Sequence, residues 1–231
     1  MGGFRAVAET SLEVVVTGAW GPLAIDGRPI DPYVVRPWPA GTELHVDWFT
    51  HGVRAYVAVR GGIEATDAVG SRSTDTLAGL GPAPIAAGDT LGAGRRVDGP
   101  VPALPLHPWG PPPQGVLDVP IVLGPRDDWF TPDARRLLLA TVWTVSTDAD
   151  RVGVRLDGPA LERCRDDELP SEGMTPGAIQ VPPTGRPVVL GVDGPVTGGY
   201  PVIGVVTDVG RARLAQAAPG AGVRFVRVVA P

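Results

Sequence analysis

Short runs of apolar residues, many of them Val, recur along the chain between Gly, Pro and Asp residues and predict β-strands. In several runs apolar and polar positions alternate, which is the period of a strand that buries one face. Nine strands are predicted, over residues 12–17, 43–48, 55–59, 119–123, 152–156, 178–181, 188–192, 202–206 and 223–229. Many short strands separated by turn residues are typical of a β-barrel or a β-sandwich.

Two segments carry helix signals instead. Thr131 is a capping residue, and it is followed by Pro132 at the first helical position and by an acidic residue, Asp133, in the first turn. These signals predict a helix over 134–140. A second helix is predicted over 208–217, before Pro219 and Gly220. The pattern therefore predicts a mostly β fold with two or three short helices.

A proline-rich segment divides the chain. Residues 100–114 read PVPALPLHPWGPPPQ, and their prolines remove backbone donors and favour an extended conformation. We expect a linker over 100–114 between an N-terminal unit, 1–99, and a C-terminal unit, 115–231. The alternative for Pro111, Pro112 and Pro113 is a polyproline ligand for a partner module.

The composition is that of a folded protein with many turns. A length of 231 residues is ample for a hydrophobic core, and 43% of the residues are hydrophobic despite 32 Gly and 27 Pro. The formal net charge is −5, and every basic residue is Arg, with no basic face or Arg-rich run. We expect no nucleic-acid partner. The lack of Lys excludes Schiff-base chemistry, a P-loop lysine and a biotinyl-lysine on these residues.

Targeting and metal-binding signals are missing as well. The sequence shows neither a leader nor an apolar run of about 18 residues, and its single cysteine, Cys164, forms no internal disulfide. We expect a soluble, cytoplasmic protein with no membrane association. The three histidines have no metal-ligand spacing, so no metal site is predicted. Because no Gly-rich phosphate loop occurs, any ATP dependence would come from another chain.

The densest cluster of polar and turn residues lies at 171–201. Two predicted hairpin ends there bring the side chains of Glu172, Gln180, Asp193 and Tyr200 toward one pocket. Gly198 and Gly199 let backbone amides approach a carboxylate or an oxygen anion. The alternative is that VPPTGRP and TGGYP are only tight turns.

Two further clusters carry arginine. In the first, Arg72 lies between Ser71 and Ser73. Its guanidinium and the two hydroxyls could donate hydrogen bonds to a carboxylate or a phosphate. The alternative is a structural ion pair of Arg72 with Asp67 or Asp75. In the second, strand alternation places Arg151 and Arg155 on one face. Surface pairing with Asp148 or Asp157 is the alternative there.

Several motifs in fixed order resemble a known family. They are YVAVRGGI, GSRSTDTLAGLG, AAGDTL, GPRDDWFTPDARRLL, TVSTDADRVGVRLDGP, SEGMTPGAIQVPPTGRPVVLGVDGPVTGGYP and RLAQAAPGAGVRFVRV. In this order they resemble the biotin-dependent carboxyltransferase family, whose members are also called allophanate hydrolase subunit 2, KipA or the C-type subunit of 5-oxoprolinase. The resemblance extends from about residue 4 to residue 228.

The resemblance implies two cyclophilin-like β-barrel subdomains and a role in a larger assembly. Because these residues contain no fused carboxylase, ATP-grasp or biotinyl segment, we favour a subunit of an ATP-dependent 5-oxoprolinase that acts on an amide, a lactam or a urea-like substrate. Its implied partners are a KipI-like subunit and a LamB/YcsF-like subunit, and ATP would bind through a partner. The alternatives are the carboxyltransferase component of a urea carboxylase-like system, where biotin would take part, and a KipA-like regulator that antagonises a KipI-like kinase inhibitor.

An amide is a poor nucleophile and a poor electrophile, so such a site needs oxyanion donors and a positioned base. We assign Gly198 and Gly199 to the anion cradle, with Thr197 beside them. We assign orienting roles to Gln180 and Tyr200. We assign proton acceptance to Asp193 or Glu172. We assign carboxylate binding either to Arg72, with Ser71 and Ser73, or to Arg155.

The chain departs from the family pattern at two places. The family's usual opening stretch, P-G-x-x-T-x-x-Q-D-x-G-R-x-G, and a later S-G-x-x-D stretch are missing, so we expect a chain that is truncated at its N-terminus with an incomplete first subdomain. In addition, the usual T-T-G-G-Y has Val196 in place of its first Thr. We expect the loop shape to persist with one hydrogen bond fewer.

Overall fold

The computed structural model describes residues 2–97, 99–101, 110–165 and 167–229. The chain divides into two compact units, Met1–Pro112 and Pro113–Pro231, and this division falls inside the segment 100–114 that was predicted to be a linker. Most of that segment, 102–109, lies outside the described residues. Pro111, Pro112 and Pro113 belong to no helix or strand, and their role as a partner ligand stays a prediction.

The N-terminal unit is built from short strands. They are β1 (Phe4–Val7), β2 (Leu12–Trp20), β3 (Leu23–Ile25), β4 (Arg28–Pro29), β5 (Arg36–Trp38), β6 (Glu43–Val46), β7 (His51–Val59), β8 (Ile63–Glu64) and β9 (Gly92–Ala93). They form three sheets, with the orders β1-β6-β3-β4, β5-β2-β7 and β8-β9. The alternation in β2 buries Val14 and Val16, which pack with Leu44 and Val46 of β6 in one hydrophobic core.

The C-terminal unit contains a closed barrel. Its elements are β10 (Leu117–Leu123), a 3-10 turn (Asp127–Trp129), α1 (Pro132–Ala140), β11 (Val142–Val145), β12 (Gly153–Asp157), β13 (Glu172–Gly173), β14 (Ala178–Gln180), β15 (Val188–Leu190), β16 (Thr197–Gly198), β17 (Val202–Val206), α2 (Asp208–Leu214) and β18 (Gly222–Arg227). Seven strands close the barrel in the order β10-β17-β14-β15-β12-β11-β18. Strands β13 and β16 pair with each other as a separate two-stranded sheet, which we call the β13–β16 ribbon.

Large apolar side chains fill the barrel. Ile121, Ile179 and Phe225 belong to three different strands and are fully buried, and Leu138 of α1 packs on the same core. The indole of Trp143 is also fully buried, and its Nε1 donates to the backbone oxygen of Leu138 at 3.1 Å. This hydrogen bond satisfies the one polar atom that the indole brings into the core.

The mostly β prediction is confirmed, and all nine predicted strands are present with small shifts at their ends. Both predicted helices are present too. Thr131 caps α1 by accepting from the backbone N–H of Ala134, and Thr207 caps α2 in the same way by accepting from Gly210. Helix α2 ends at Leu214, three residues before the predicted end, because the chain tightens there into i to i−3 hydrogen bonds such as Ala217 N–H to Leu214.

The prediction for the face shared by Arg151 and Arg155 was wrong. Strand β12 begins at Gly153, so Arg151 precedes the strand and does not share a strand face with Arg155. Asp150 explains the late start, because its carboxylate accepts the N–H groups of Val152 and Gly153 in a local turn.

The helices of the structure are short. In the described part of the chain, none has the length and apolar character needed to cross a membrane.

Candidate functional site

The β13–β16 ribbon is a small structure set beside the barrel strands. In it Glu172 lies opposite Gly198, and Gly173 lies opposite Thr197. The pairing continues to the next residue, where the backbone N–H of Met174 donates to the oxygen of Val196 at 2.8 Å. Met174 also packs on a buried apolar patch of the barrel wall that includes Ala178. The ribbon is therefore attached to the barrel at Met174.

Gln180 ends strand β14 next to this ribbon. The residue is 7% exposed, and it is the one buried polar residue in the described part of the chain. The pairing of β14 with β17 changes register between Ile179 and Gln180, which marks a bulge. Bulges redirect side chains and are enriched beside active sites.

The amide of Gln180 has a weak partner. Its Nε2 donates to the thioether sulfur of Met174 at 3.3 Å, and a thioether is a poor acceptor. A buried amide costs free energy unless its hydrogen bonds are replaced. Gln180 therefore keeps hydrogen-bonding capacity that a bound polar molecule can use.

Gly198 lies directly against that amide. A Cβ at position 198 would stand 2.6 Å from Nε2 of Gln180 and 3.3 Å from Cγ of Met174, so only glycine fits without a shift. The neighbouring Gly199 approaches the backbone oxygen of Leu169, which would lie 3.3 Å from an added Cβ. The two glycines of the TGGYP motif thus let the backbone lie close to neighbouring groups, and the group next to Gly198 is the amide of Gln180.

Glu172 is engaged by an arginine. The guanidinium of Arg126 contacts both carboxylate oxygens of Glu172, with Nε at 3.3 Å from Oε2 and with Nη2 on Oε1. The hydrogen bond to Glu172, together with the negative charges of Glu172 and Asp128, raises the pKa of Arg126 against a smaller opposing effect of burial. A guanidinium is charged at all ordinary pH values, so Arg126 presents a fixed positive charge to Glu172.

Asp193 is engaged by a second arginine. Nε of Arg151 lies 2.7 Å from Oδ2 of Asp193, and Nη2 donates to Oδ1 at 3.2 Å. Both predicted proton acceptors, Asp193 and Glu172, are therefore held by guanidinium groups.

The remaining predicted residues of the C-terminal unit are more exposed to solvent. Tyr200 follows the ribbon and is 46% exposed, and Thr197 is exposed on β16. Arg155 is exposed on β12. Asp157, one of its two alternative partners, pairs instead with Arg186 at 3.1 Å. The structure thus brings Glu172, Gln180 and Gly198 together and leaves Arg155 at the surface.

The predicted residues Ser71, Arg72 and Ser73 belong to the N-terminal unit and are exposed. Arg72 donates to the backbone oxygen of Ile63 at 3.4 Å, and the hydroxyl of Ser71 accepts from the backbone N–H of Ser73 at 3.1 Å. The carboxylates of Asp67 and Asp75 accept backbone N–H groups in their own turns. No ion pair within the described residues joins either of them to Arg72, so that alternative was wrong.

Sequence reasoning missed two residues of this site, Arg126 and Met174. Arg126 pairs with a residue 46 positions away, and no local pattern shows such a contact. The one available signal was its place in the GPRDDWFTP motif, directly after strand β10. Within the described ranges, no group of three or more His, Cys, Asp or Glu side chains is arranged to hold a metal ion.

Two surface cavities lie away from these residues. One of about 510 Å³ is lined mainly by Trp20, several prolines, His45 and Asp47 in the N-terminal unit. Another of about 380 Å³ lies beside α1 and is lined by residues that include Thr131, Arg136 and Glu162. Neither cavity contains a residue of the predicted site.

Comparison with known proteins gives a family match over nearly the whole chain. Residues 1–227 match the family model described as the carboxyltransferase domain, subdomains A and B. The C-type subunit of the 5-oxoprolinase of Escherichia coli (strain K12) is 33% identical over 224 residues, which cover 95% of this chain and 70% of that protein. Its counterpart from Haemophilus influenzae is 30% identical over 230 residues, which cover 99% of this chain and 73% of that protein.

The fold has solved counterparts. The crystal structure of the K. lactis urea amidolyase matches 97% of this chain with a TM-score of 0.86 at 24% sequence identity. This chain covers 15% of that much larger protein. The match supports the fold described above.

Proposed function

The chain belongs to the carboxyltransferase-domain family, and from this premise we propose that it is the C-type subunit of an ATP-dependent 5-oxoprolinase. Its substrate class in this proposal is an amide, with a lactam as the preferred form. The two 5-oxoprolinase relatives, which are 33% and 30% identical, support the proposal. Because the chain spans 70% and 73% of those relatives, the activity of the whole assembly is part of the proposal.

The observation that carries the proposal is the buried amide of Gln180 beside Gly198. A primary amide presents a carbonyl acceptor and N–H donors side by side. A lactam, whose amide group is held cis by its ring, presents the complementary N–H and carbonyl on one edge. Gln180 is therefore suited to orient an amide substrate, and its thioether partner Met174 is weak enough to be replaced.

The chemistry of amide opening sets the roles of the other residues. Negative charge develops on the carbonyl oxygen in the transition state, and backbone N–H groups near Gly198 and Gly199 are the proposed donors to it. Tyr200, directly after this segment, is the proposed second orienting group. Asp193 or Glu172 is the proposed proton acceptor, and each is held in position by its arginine.

The residue types present limit how biotin can take part. These 231 residues contain no Lys, so biotin has no attachment site on them, and no step of the proposed reaction passes through biotin. ATP is proposed to bind to a partner subunit. The proposed partners are a KipI-like subunit and a LamB/YcsF-like subunit.

Carboxyl transfer is the second candidate function. The description of the matched family model, a carboxyltransferase domain, favours it. In that case the amide of Gln180 beside Gly198 would bind urea, which also presents N–H and carbonyl groups on one edge. A KipA-like regulator is a third role, in which the chain binds a KipI-like protein without turnover.

The test is reconstitution from purified subunits. The chain is mixed with its KipI-like and LamB/YcsF-like partners, and conversion of 5-oxoproline to glutamate is measured with ATP. Omission of the chain should abolish turnover, and addition should restore it. Equal turnover with and without the chain, in a mixture that still forms a complex with it, would contradict the proposal and favour the regulatory role.

A further inference from the structure

We propose that Arg126 is a positioning residue, which fixes the β13–β16 ribbon beside Gln180 through its contact with Glu172. The inference rests on the proposed function and deepens it, because it concerns the same site. It assigns to Arg126 the task of setting the distance between Gly198 and the amide of Gln180.

Arg126 is fixed to the barrel by its backbone. Its N–H donates to the oxygen of Val202 on β17 at 3.2 Å. Two residues earlier, the N–H of Gly124 donates to the oxygen of Ile203 at 2.9 Å. The segment that carries Arg126 thus forms two hydrogen bonds with a barrel strand. These bonds hold the backbone of Arg126 against the barrel.

The ribbon is small. It consists of two residue pairs and the adjoining hydrogen bond from Met174 to Val196, and a two-stranded ribbon by itself is at best marginally stable in water. Contacts outside the ribbon therefore contribute to its position. Met174 supplies one attachment by packing on the barrel wall, and the Arg126–Glu172 contact supplies the other.

The geometry of the contact suits positioning. Two guanidinium nitrogens face two carboxylate oxygens, which fixes direction as well as distance. The side chains of Arg126 and Glu172 are 36% and 27% exposed, so solvent screens the pair only in part. A lysine at position 126 would keep the charge and lose the two-point contact.

The position of Glu172 affects the residue that faces it on the other strand of the ribbon. Glu172 is paired with Gly198, and Gly198 touches the amide of Gln180 with no space for a methyl group. Loss of the arginine contact would therefore let Gly198 move relative to Gln180. A shift of about 1 Å in a reacting group can reduce turnover by about a hundredfold.

The sequence offers a direct probe of this movement. The chain has two methionines, Met1 and Met174, and Met174 touches Gln180. Labelling of the methionine methyl groups with carbon-13 gives two NMR signals, one of which reports on the ribbon. The signal is read from the full chain alone and needs no turnover.

The experiment compares Arg126→Gln, Arg126→Lys, Glu172→Gln and the double variant Arg126→Gln/Glu172→Gln with the natural chain. Arg186→Gln is the matched control, because Arg186 forms an ion pair with Asp157 in the same unit outside this site. We expect the Met174 signal to shift or broaden in all four variants and to stay in place in the control. The double variant should resemble the single variants, because both substitutions remove one contact.

Turnover in the reconstituted assembly gives the second measurement. Arg126→Gln should lower kcat by about tenfold or more with KM changed by less than about twofold, as expected of misplacement in the transition state. Arg126→Lys should recover little of the loss. If Arg126→Gln has a lower melting temperature while its Met174 signal is unchanged, the contact is only structural and the inference is wrong.

The two proposals fail in different ways. If turnover is missing with the natural chain and the Met174 signal still responds to Arg126→Gln, the proposed function fails and the positioning role stands. If turnover requires the chain and neither kcat nor the Met174 signal responds to Arg126→Gln, the positioning role fails and the proposed function stands.

Discussion

The amide of Gln180 and the backbone of Gly198 are in such close contact that a single added carbon at position 198 would stand 2.6 Å from Nε2. The two residues come from different parts of the fold, the end of barrel strand β14 and the ribbon strand β16. Their contact is the point at which the TGGYP motif meets the buried amide of the GAIQVPP motif. It defines the site on which the proposed function depends.

The first prediction concerns this contact. Gly198→Ala should displace Gln180 and lower turnover of the reconstituted assembly by about tenfold or more, since overpacking forces side chains from their positions. Gly173→Ala is the matched control, because Gly173 lies on the facing strand and an added Cβ there meets nothing within 4 Å. Turnover and the Met174 methyl signal are both measured. Equal turnover for the two variants would contradict a role for the Gly198–Gln180 contact.

A second prediction separates structure from chemistry at Asp193. The Arg151–Asp193 pair is partly exposed, so its loss should cost at most about 1 kcal/mol of stability. Asp193→Asn and Arg151→Gln should therefore melt within a few degrees of the natural chain. If Asp193 accepts a proton, Asp193→Asn should also lower turnover far more than its small effect on stability explains. Full turnover in Asp193→Asn would leave Glu172 as the proton acceptor.

A third prediction tests the fold at a position that the sequence identified. The hydroxyl of Thr131 accepts from the backbone N–H of Ala134 at the start of α1. Thr131→Ala should destabilise the C-terminal unit by about 1 kcal/mol, because that N–H loses its partner. Thr131→Ser keeps the oxygen and should melt close to the natural chain. The free energy of unfolding of both variants is measured with a denaturant. An equal loss of stability in Thr131→Ala and Thr131→Ser would contradict the capping role of the hydroxyl.

The sequence predicted the elements whose signals are local. Strand β2 was predicted because its buried valines alternate, and α1 because Thr131, Pro132 and Asp133 are adjacent in the chain. Strand β11, with the sequence VWTV, was missed because it is only four residues long and follows a helix closely. So short an alternation cannot be distinguished from the end of that helix. The ribbon strands were missed because two residues have no period at all.

The site was predictable to the extent that its residues lie in one motif. Glu172, Gln180 and Gly198 stand within 27 positions of one another, and turn residues between them indicated hairpin ends. Arg126 was not predictable, because its contact with Glu172 depends on the closure of the barrel, which brings the end of β10 to β17. Long-range closure is a property of the whole fold and leaves no trace in local spacing.

In the proposed function the buried amide of Gln180 serves a substrate and does not serve stability, and Gln180→Leu tests this role most directly. Leucine fills the volume without a buried polar group, so this variant should melt at or slightly above the temperature of the natural chain. In the reconstituted assembly with ATP, its turnover of 5-oxoproline should fall by about a hundredfold or more. A Gln180→Leu chain that assembles and retains full turnover would contradict this role.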